Sequence, residues 1–188
     1  MSIKVPIDEA RLIELLKDKS TAHKAFETLV DVYSEPLYWQ IRKLVIGHQD
    51  ADDLLQNVFL KVWKNIHNFR GEAKLSTWLH KIAINESLNF LNQEKQKKEI
   101  SDETGDDFLL NRIEAETYID GEALEISLQK AIASLPEKQR LVFNMRYFDD
   151  MKYEDISEIL GTSIGALKAS YHHAVKKISA RMELDSPK

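Results

Sequence analysis

The sequence predicts an all-α protein: two small helical domains joined by an acidic linker. Three observations carry this. Apolar residues recur at the 3.6-residue spacing of helices in both flanks of the chain. No segment alternates apolar and polar residues as a half-buried strand does. Charge is unevenly spread: +2 over Met1–Lys98, −9 over Glu99–Glu125 and +2 over Ile126–Lys188. The expected division is residues 1–95, a helical domain; 96–123, a flexible acidic linker; and 124–184, a second helical domain.

Pro6 and Asp8 mark a first helix start, with Leu12, Leu15 and Leu16 on its apolar face. Ser20 and Thr21 punctuate. Phe26, Leu29, Val30 and Tyr33 form the next apolar face, expected to end near Ser34. Pro36 suits the first turn of a third helix, with Leu37, Ile41, Leu44 and Val45 inward and Gly47 closing it. From Asp50 a strongly amphipathic helix follows. Leu54, Leu55, Val58, Phe59, Val62, Trp63 and Ile66 fall on one stripe, and Asp53, Gln56, Asn57, Lys61 and Lys64 on the opposite face. Leu60 is the apolar residue that points away from the stripe. A loop over Asn68–Lys74 leads to another helix, with Ser76 and Thr77 as candidate caps. The charged run QEKQKKE suits an extension of that helix.

The stretch SDETGDDFLLNRIEAETYIDGEALE is acidic and holds Gly105, Gly121 and scattered apolar residues. It reads as a solvated tether with one short helix at most. The second domain begins at Leu124–Ser134. Pro136 opens a helix with Leu141, Val142, Met145 and Phe148 at helical spacing, and Asp149 and Asp150 make a turn. A short helix over Tyr153–Leu160, a tight Gly161-Thr162-Ser163 turn, and a longer helix from Ile164 form a helix-turn-helix. Leu167, Tyr171, Ala174, Val175 and Ile178 are expected inward; Lys168, Ala169, His172 and His173 outward.

Composition removes several function classes. The chain of 188 residues has no cysteine, so a disulfide scaffold and a Cys-ligated zinc site are excluded. No apolar run is long enough to span a bilayer, and acids interrupt the N-terminus where a signal peptide needs an apolar core. A cytoplasmic protein without membrane insertion is the expectation. Asp50, Asp52 and Asp53 lack calcium-loop spacing, and the histidines form no i, i+4 ligand pair with an acid between them. No phosphate-binding glycine loop and no nucleophile motif occurs. The expectation is a protein that is not an enzyme and needs no cofactor.

Two blocks carry a resemblance. DADDLLQNVFLKVW, followed by Phe69 and then STWLHKIAIN, resembles region 2 of the small extracytoplasmic-function (ECF) sigma factors of bacterial RNA polymerase. LPEKQRLVFNMRYFDDMKYEDISEILGTSIGALKA resembles their region 4, at the right distance from region 2. The resemblance implies a chain that binds core RNA polymerase and promoter DNA, and it allows an anti-sigma factor as a further partner. Carried over position by position, it assigns Asp53, Gln56, Asn57 and Leu60 to the polymerase clamp helices. It assigns Phe69, Arg70, Lys74, Trp78, Lys81 and Asn85 to the single-stranded −10 element, with a base pocket in the loop Phe69–Lys74 and with Asn89 and Asn92 extending the surface. It assigns Thr162, Ser163, Lys168, Ala169, His172 and His173 to the −35 duplex. It also sends the linker through the polymerase, where Asp102, Glu103, Asp106 and Asp107 would meet a basic groove.

Ordinary readings stand beside these. Asp52 and Asp53 suit a helix N-terminus on dipole grounds. Trp78 suits core packing, and His172 and His173 suit a solvated surface. Ser170, His173 and Val175 stand where arginine is common in the family, which implies fewer phosphate contacts and a shallower salt dependence. A stand-alone helix-turn-helix regulator, dimerising through the first half, shares the C-terminal motif. It leaves the Asp53–Leu60 face without a role. A purely structural helical adaptor needs neither motif.

Overall fold

The computed structural model describes residues 8–99, 109–110, 112–113 and 123–185. Its helices are α1 (Glu9–Lys17), α2 (Ala22–Val45), α3 (His48–Asn65) with a 3-10 turn at Ile66–Asn68, α4 (Leu75–Glu99), α5 (Ala123–Ala133), α6 (Glu137–Phe143) running into a π turn at Asn144–Phe148, α7 (Tyr153–Leu160) and α8 (Ile164–Asp185). No strand occurs among the described residues.

α1 starts where the sequence signals it. The Asp8 carboxylate accepts from the amides of Ala10 (3.1 Å) and Arg11 (3.2 Å), a side-chain N-cap. Contrary to the expected break near Ser34, α2 is one helix that runs straight through Pro36. A proline inside a helix costs about 3 kcal/mol. Leu29, Leu37 and Ile41 are fully buried on one face across it. Each such burial is worth about 1.5–3 kcal/mol, so the continuous stripe outweighs the broken hydrogen bond.

The α2–α3 corner also departs from expectation. Gly47 does not supply the left-handed residue; Ile46 does, at φ 67° and ψ −42°, and the Gly47 amide donates to the Val45 carbonyl at 2.8 Å. This is a γ-turn with positive φ on a β-branched residue, a strained arrangement. Gly47 matters for space instead: a Cβ there would force the Asp50 carboxylate to shift.

The start of α4 is capped from elsewhere in the fold. α4 begins at Leu75, so Ser76 and Thr77 lie inside its first turn. Glu9 of α1 accepts from the Leu75 amide (2.9 Å) and the Ser76 amide (3.4 Å), and its carboxylate also receives the Tyr33 hydroxyl (3.0 Å). A carboxylate at a helix N-terminus satisfies orphan amides and complements the dipole.

In the second domain, the π turn rotates Phe148 outward to 42% exposure, whereas helical spacing placed it inside. Val175, also expected inward, is 38% exposed. Asp149 is swung toward α2, and there the two domains meet.

They share one apolar core. Leu141, Val142, Met145, Ile156, Ile159 and Leu167 of the second domain join the cluster built on α1–α4. A smaller cluster of Ala131, Ile132, Leu135, Phe143, Ala174 and Ile178 ties α5, α6 and α8 together. Polar contacts flank the shared core. Lys43 lies 2.6 Å from Asp149, Lys74 2.9 Å from Asp155 and Lys95 3.8 Å from Glu137. Asp149 also accepts from Gln40 at 3.4 Å, and Gln40 holds the His80 ring at 2.9 Å. Apart from the two expected helices that merge into α2, the helices fall where expected; the close docking of the domains is what the long linker did not suggest. The acidic residues Asp102, Glu103, Asp106 and Asp107 lie outside the described residues.

Candidate nucleic-acid and partner-binding surfaces

Three surfaces of the described residues carry the residues singled out in the sequence. The first is the polar face of α3. Ala51, Leu54, Val58, Phe59 and Val62 are buried, which fixes the helix rotation and sends Asp53, Gln56 and Asn57 to solvent. Leu60 sits among them at 56% exposure. Folding offers no reason for a leucine there, so its apolar area is available to a partner. The four residues predicted as one contact face are thus brought onto one face.

The second surface is a hollow of about 360 Å³ between the C-terminal end of α3 and α4. It is lined by Lys61, Asn65, Asn68, Phe69, Trp78, Ile82, Asn85 and Glu86. Phe69 is buried at 6% exposure, and its ring lies 5.1 Å from that of Trp78. The pair makes an aromatic floor. An ion pair from Lys61 to Glu86 bridges α3 and α4 across it. Aromatic faces accept a base by stacking, and carboxamides read its edge through both donor and acceptor atoms.

The hollow does not coincide with the loop expected to hold the base pocket. The loop over residues 69–74 does not form the hollow. Only Phe69 enters it; Arg70 points to solvent beside Glu72 (3.9 Å), and Gly71 takes the left-handed turn at φ 75°. Lys74 is paired with Asp155 across the domain seam, and that hydrogen bond and charge hold its ammonium above the ordinary lysine range. Trp78 is half-buried and Asn85 exposed, both lining the hollow; Lys81 is exposed outside it. Asn89 and Asn92 are exposed further along α4. The hollow also takes in Lys61, Asn65, Asn68 and Glu86, which the sequence reading did not assign to a base pocket. Asn65 and Asn68, three residues apart at a helix end, were the legible signal.

The third surface is the helix-turn-helix. Gly161 takes the left-handed conformation at φ 62° that ends α7. The Ser157 hydroxyl donates to the Thr162 carbonyl (2.8 Å), which fixes the turn. Ser163 caps α8 by accepting from the Ala166 amide at 3.4 Å, and the Thr162 hydroxyl turns back to the Leu160 carbonyl at 3.3 Å. Both hydroxyls therefore shape the turn. Leu167, Ala174 and Ile178 are buried, leaving Lys168, Ala169, His172 and His173 exposed on one side of α8. Lys168 leans over the Tyr153 ring at 5.7 Å, and the two histidine rings lie 6.0 Å apart. The exposed side of α8 presents a short polar surface of the kind that enters a major groove.

Comparisons with known proteins agree with this layout. Residues 29–97 match the family described as Sigma-70 region 2, and residues 125–178 match Sigma-70, region 4. The RNA polymerase sigma-H factor of Pseudomonas aeruginosa is 29% identical over 168 residues, covering 85% of this chain and 87% of that protein. The ECF RNA polymerase sigma factor SigW of Bacillus subtilis is 29% identical over 156 residues, covering 79% and 83%. The ECF RNA polymerase sigma-E factor of Escherichia coli is 29% identical over 175 residues, covering 85% and 87%. In fold, the chain is similar to CnrH in its complex with the cytosolic domain of CnrY, with a TM-score of 0.71 at 20% identity over 95% of this chain and 99% of that one. It is similar also to the sigma factor RpoE of Bartonella quintana, in complex with the anti-sigma factor NepR, with a TM-score of 0.65 at 20% identity over 87% and 99%. With region 2 carrying the α3 face and the hollow, and region 4 carrying the helix-turn-helix, the chain belongs to the ECF branch of the sigma-70 family.

Proposed function

We propose that the protein binds core RNA polymerase, recognises −10 and −35 promoter elements, and promotes DNA melting at the first. The observation that carries this is the α3 face. A buried stripe fixes its rotation, yet it exposes Leu60 among Asp53, Gln56 and Asn57, and the C-terminal end of the same helix borders a hollow with an aromatic floor. A stand-alone regulator uses the helix-turn-helix and leaves both unused.

In this reading the α3 face takes the polymerase. The hollow takes a base flipped from the non-template strand, stacked on Phe69 and Trp78, with Asn85, Lys81 and Arg70 along the strand. The exposed side of α8 reads the −35 duplex through Lys168, Ala169, His172 and His173, with Thr162 and Ser163 setting the approach of the turn. Residues 1–95, 96–123 and 124–184 serve as the −10 and polymerase domain, the linker and the −35 domain. No described helix is long and apolar enough to cross a membrane. The proposed compartment is the cytoplasm, with an anti-sigma factor as a further partner. The role is that of an initiation factor without catalysis of its own.

The test is transcription in vitro with purified core polymerase and a genomic library as template. Initiation at discrete start sites, lost with the Gln56→Ala, Leu60→Asp double variant, supports the reading. Tight duplex binding by the protein alone, with no initiation, moves it to a stand-alone regulator.

A further inference from the structure

Between Glu99 and Glu125 the chain carries ten acids and a single base, Arg112. The structure uses that one base. Its Nη1 meets the Asp50 carboxylate and donates to the Val45 carbonyl at 3.1 Å; its Nη2 lies 4.0 Å from Glu94. The guanidinium also sits 5.6 Å from the Phe90 ring centroid. Three helices therefore converge on it: the C-terminal carbonyl end of α2, the first turn of α3, and α4. A cation is favoured at a helix C-terminus, and a guanidinium suits several acceptors at once. The neighbours of Arg112 are anchored too, with Leu109 at 8% exposure and Ile113 at 1%.

The corner that receives it is shaped for the purpose. The γ-turn at Ile46 ends α2 abruptly, and the Val45 carbonyl, which already accepts from the Gly47 amide at 2.8 Å, accepts from Arg112 with its second lone pair. Gly47 has no Cβ, and one built there would lie 3.0 Å from Arg112 Nη1 as well as against Asp50. Strain and a missing side chain at the same corner are what a built socket requires.

We propose that Arg112 is a clasp, which seats the interdomain segment in the socket of Asp50, Val45 and Glu94 and thereby holds the two domains in their docked arrangement. Residues 100–122 join α4 to α5. Anchoring at Arg112 leaves only residues 113–122 between the first domain and α5, less than half that length. Effective concentration falls roughly as the −3/2 power of tether length, so opening the clasp favours domain separation by about fourfold. Asp50 precedes Asp53 by one turn on α3. If that face takes polymerase, as proposed above, the clasp sits beside the surface polymerase occupies.

The test uses the full chain and needs no polymerase, so it stands apart from the functional reading. Hydrogen exchange followed by mass spectrometry reports the segment at 109–113. Because the chain has no cysteine, spin labels on Lys64→Cys and Lys177→Cys report the distance between domains. Arg112→Gln is expected to abolish protection at 109–113 and to raise the ratio of separated to docked molecules about fourfold. Asp50→Asn is expected to do the same and to add nothing on top of Arg112→Gln; it carries the test alone if Arg112→Gln fails to fold. Arg112→Lys should keep part of the protection. Unchanged protection in the Arg112→Gln and Asp50→Asn variants overturns the clasp. Lost protection with an unchanged distance distribution overturns its control of docking.

Discussion

Glu9 shows how much one side chain can join. It belongs to α1, yet it caps α4 and receives the Tyr33 hydroxyl of α2. Glu9→Ala strips the acceptor from two helix amides and a half-buried phenol. A loss of about 1–3 kcal/mol is expected, read as a lower urea midpoint. Tyr33 supplies a pH signature. Burial first, and the Glu9 charge second, push its phenol well above the usual value of 10.0. Folding therefore favours the protonated form. That stability is fully present below pH 10 and is lost as pH rises through the elevated folded value, because the unfolded chain ionises first. Tyr33→Phe should flatten the alkaline limb of a stability-versus-pH curve, checked by urea titrations between pH 9 and roughly 11.

At the scale of elements, α3 and α8 each carry a contact face set by what they bury. Leu60→Asp replaces an exposed side chain, so folding stability should change by no more than about 0.5 kcal/mol. Affinity for core polymerase should fall roughly 10- to 100-fold, as for an apolar hot spot. Thermal melting and a binding titration on the same sample separate the two effects. α8 is poor in cations where Ser170 and His173 stand. Ser170→Arg with His173→Arg should steepen the dependence of log affinity on log salt by about 0.9 for each phosphate the new arginines neutralise. A −35 duplex titrated with the polymerase complex at several salt concentrations measures it; an unchanged slope would mean that this side of α8 does not face phosphate.

For the whole molecule, the issue is docking. Asp149 is the polar centre of the seam, with Lys43 at 2.6 Å and side-chain exposures of 23% for Lys43 and 11% for Asp149. Removing one partner of such a pair strands the other in a half-buried site. Asp149→Ala should therefore weaken docking and enlarge the molecule. The docked form of 188 residues has an expected radius of gyration of about 16 Å. Small-angle scattering should show the variant above that value, with helical content unchanged by circular dichroism. A wild-type radius already far above it would show that the domains are separate in solution and that the shared core forms only part of the time.

Most helices, most of their buried faces and the family were legible from the chain alone, because each is written in short-range patterns; the exceptions are the break at Pro36 and the inward placing of Phe148 and Val175. The apolar stripe of α3 turns Asp53, Gln56, Asn57 and Leu60 outward, and Gly161 marks the turn before α8. Tertiary structure decided what depends on partners far apart in the chain. Glu9 caps α4 across more than sixty residues. Lys43 finds Asp149 across more than a hundred. Pro36 fails to end α2 because the face behind it is buried. The hollow lies between α3 and α4, and the loop after Phe69 stays outside it, because Phe69 turns inward onto Trp78 and Lys74 is drawn to Asp155. Periodicity reports which face of a helix is buried, but not what is buried against it. Arg112 was visible as the only base in an acidic stretch; only the fold shows three helices closing around it.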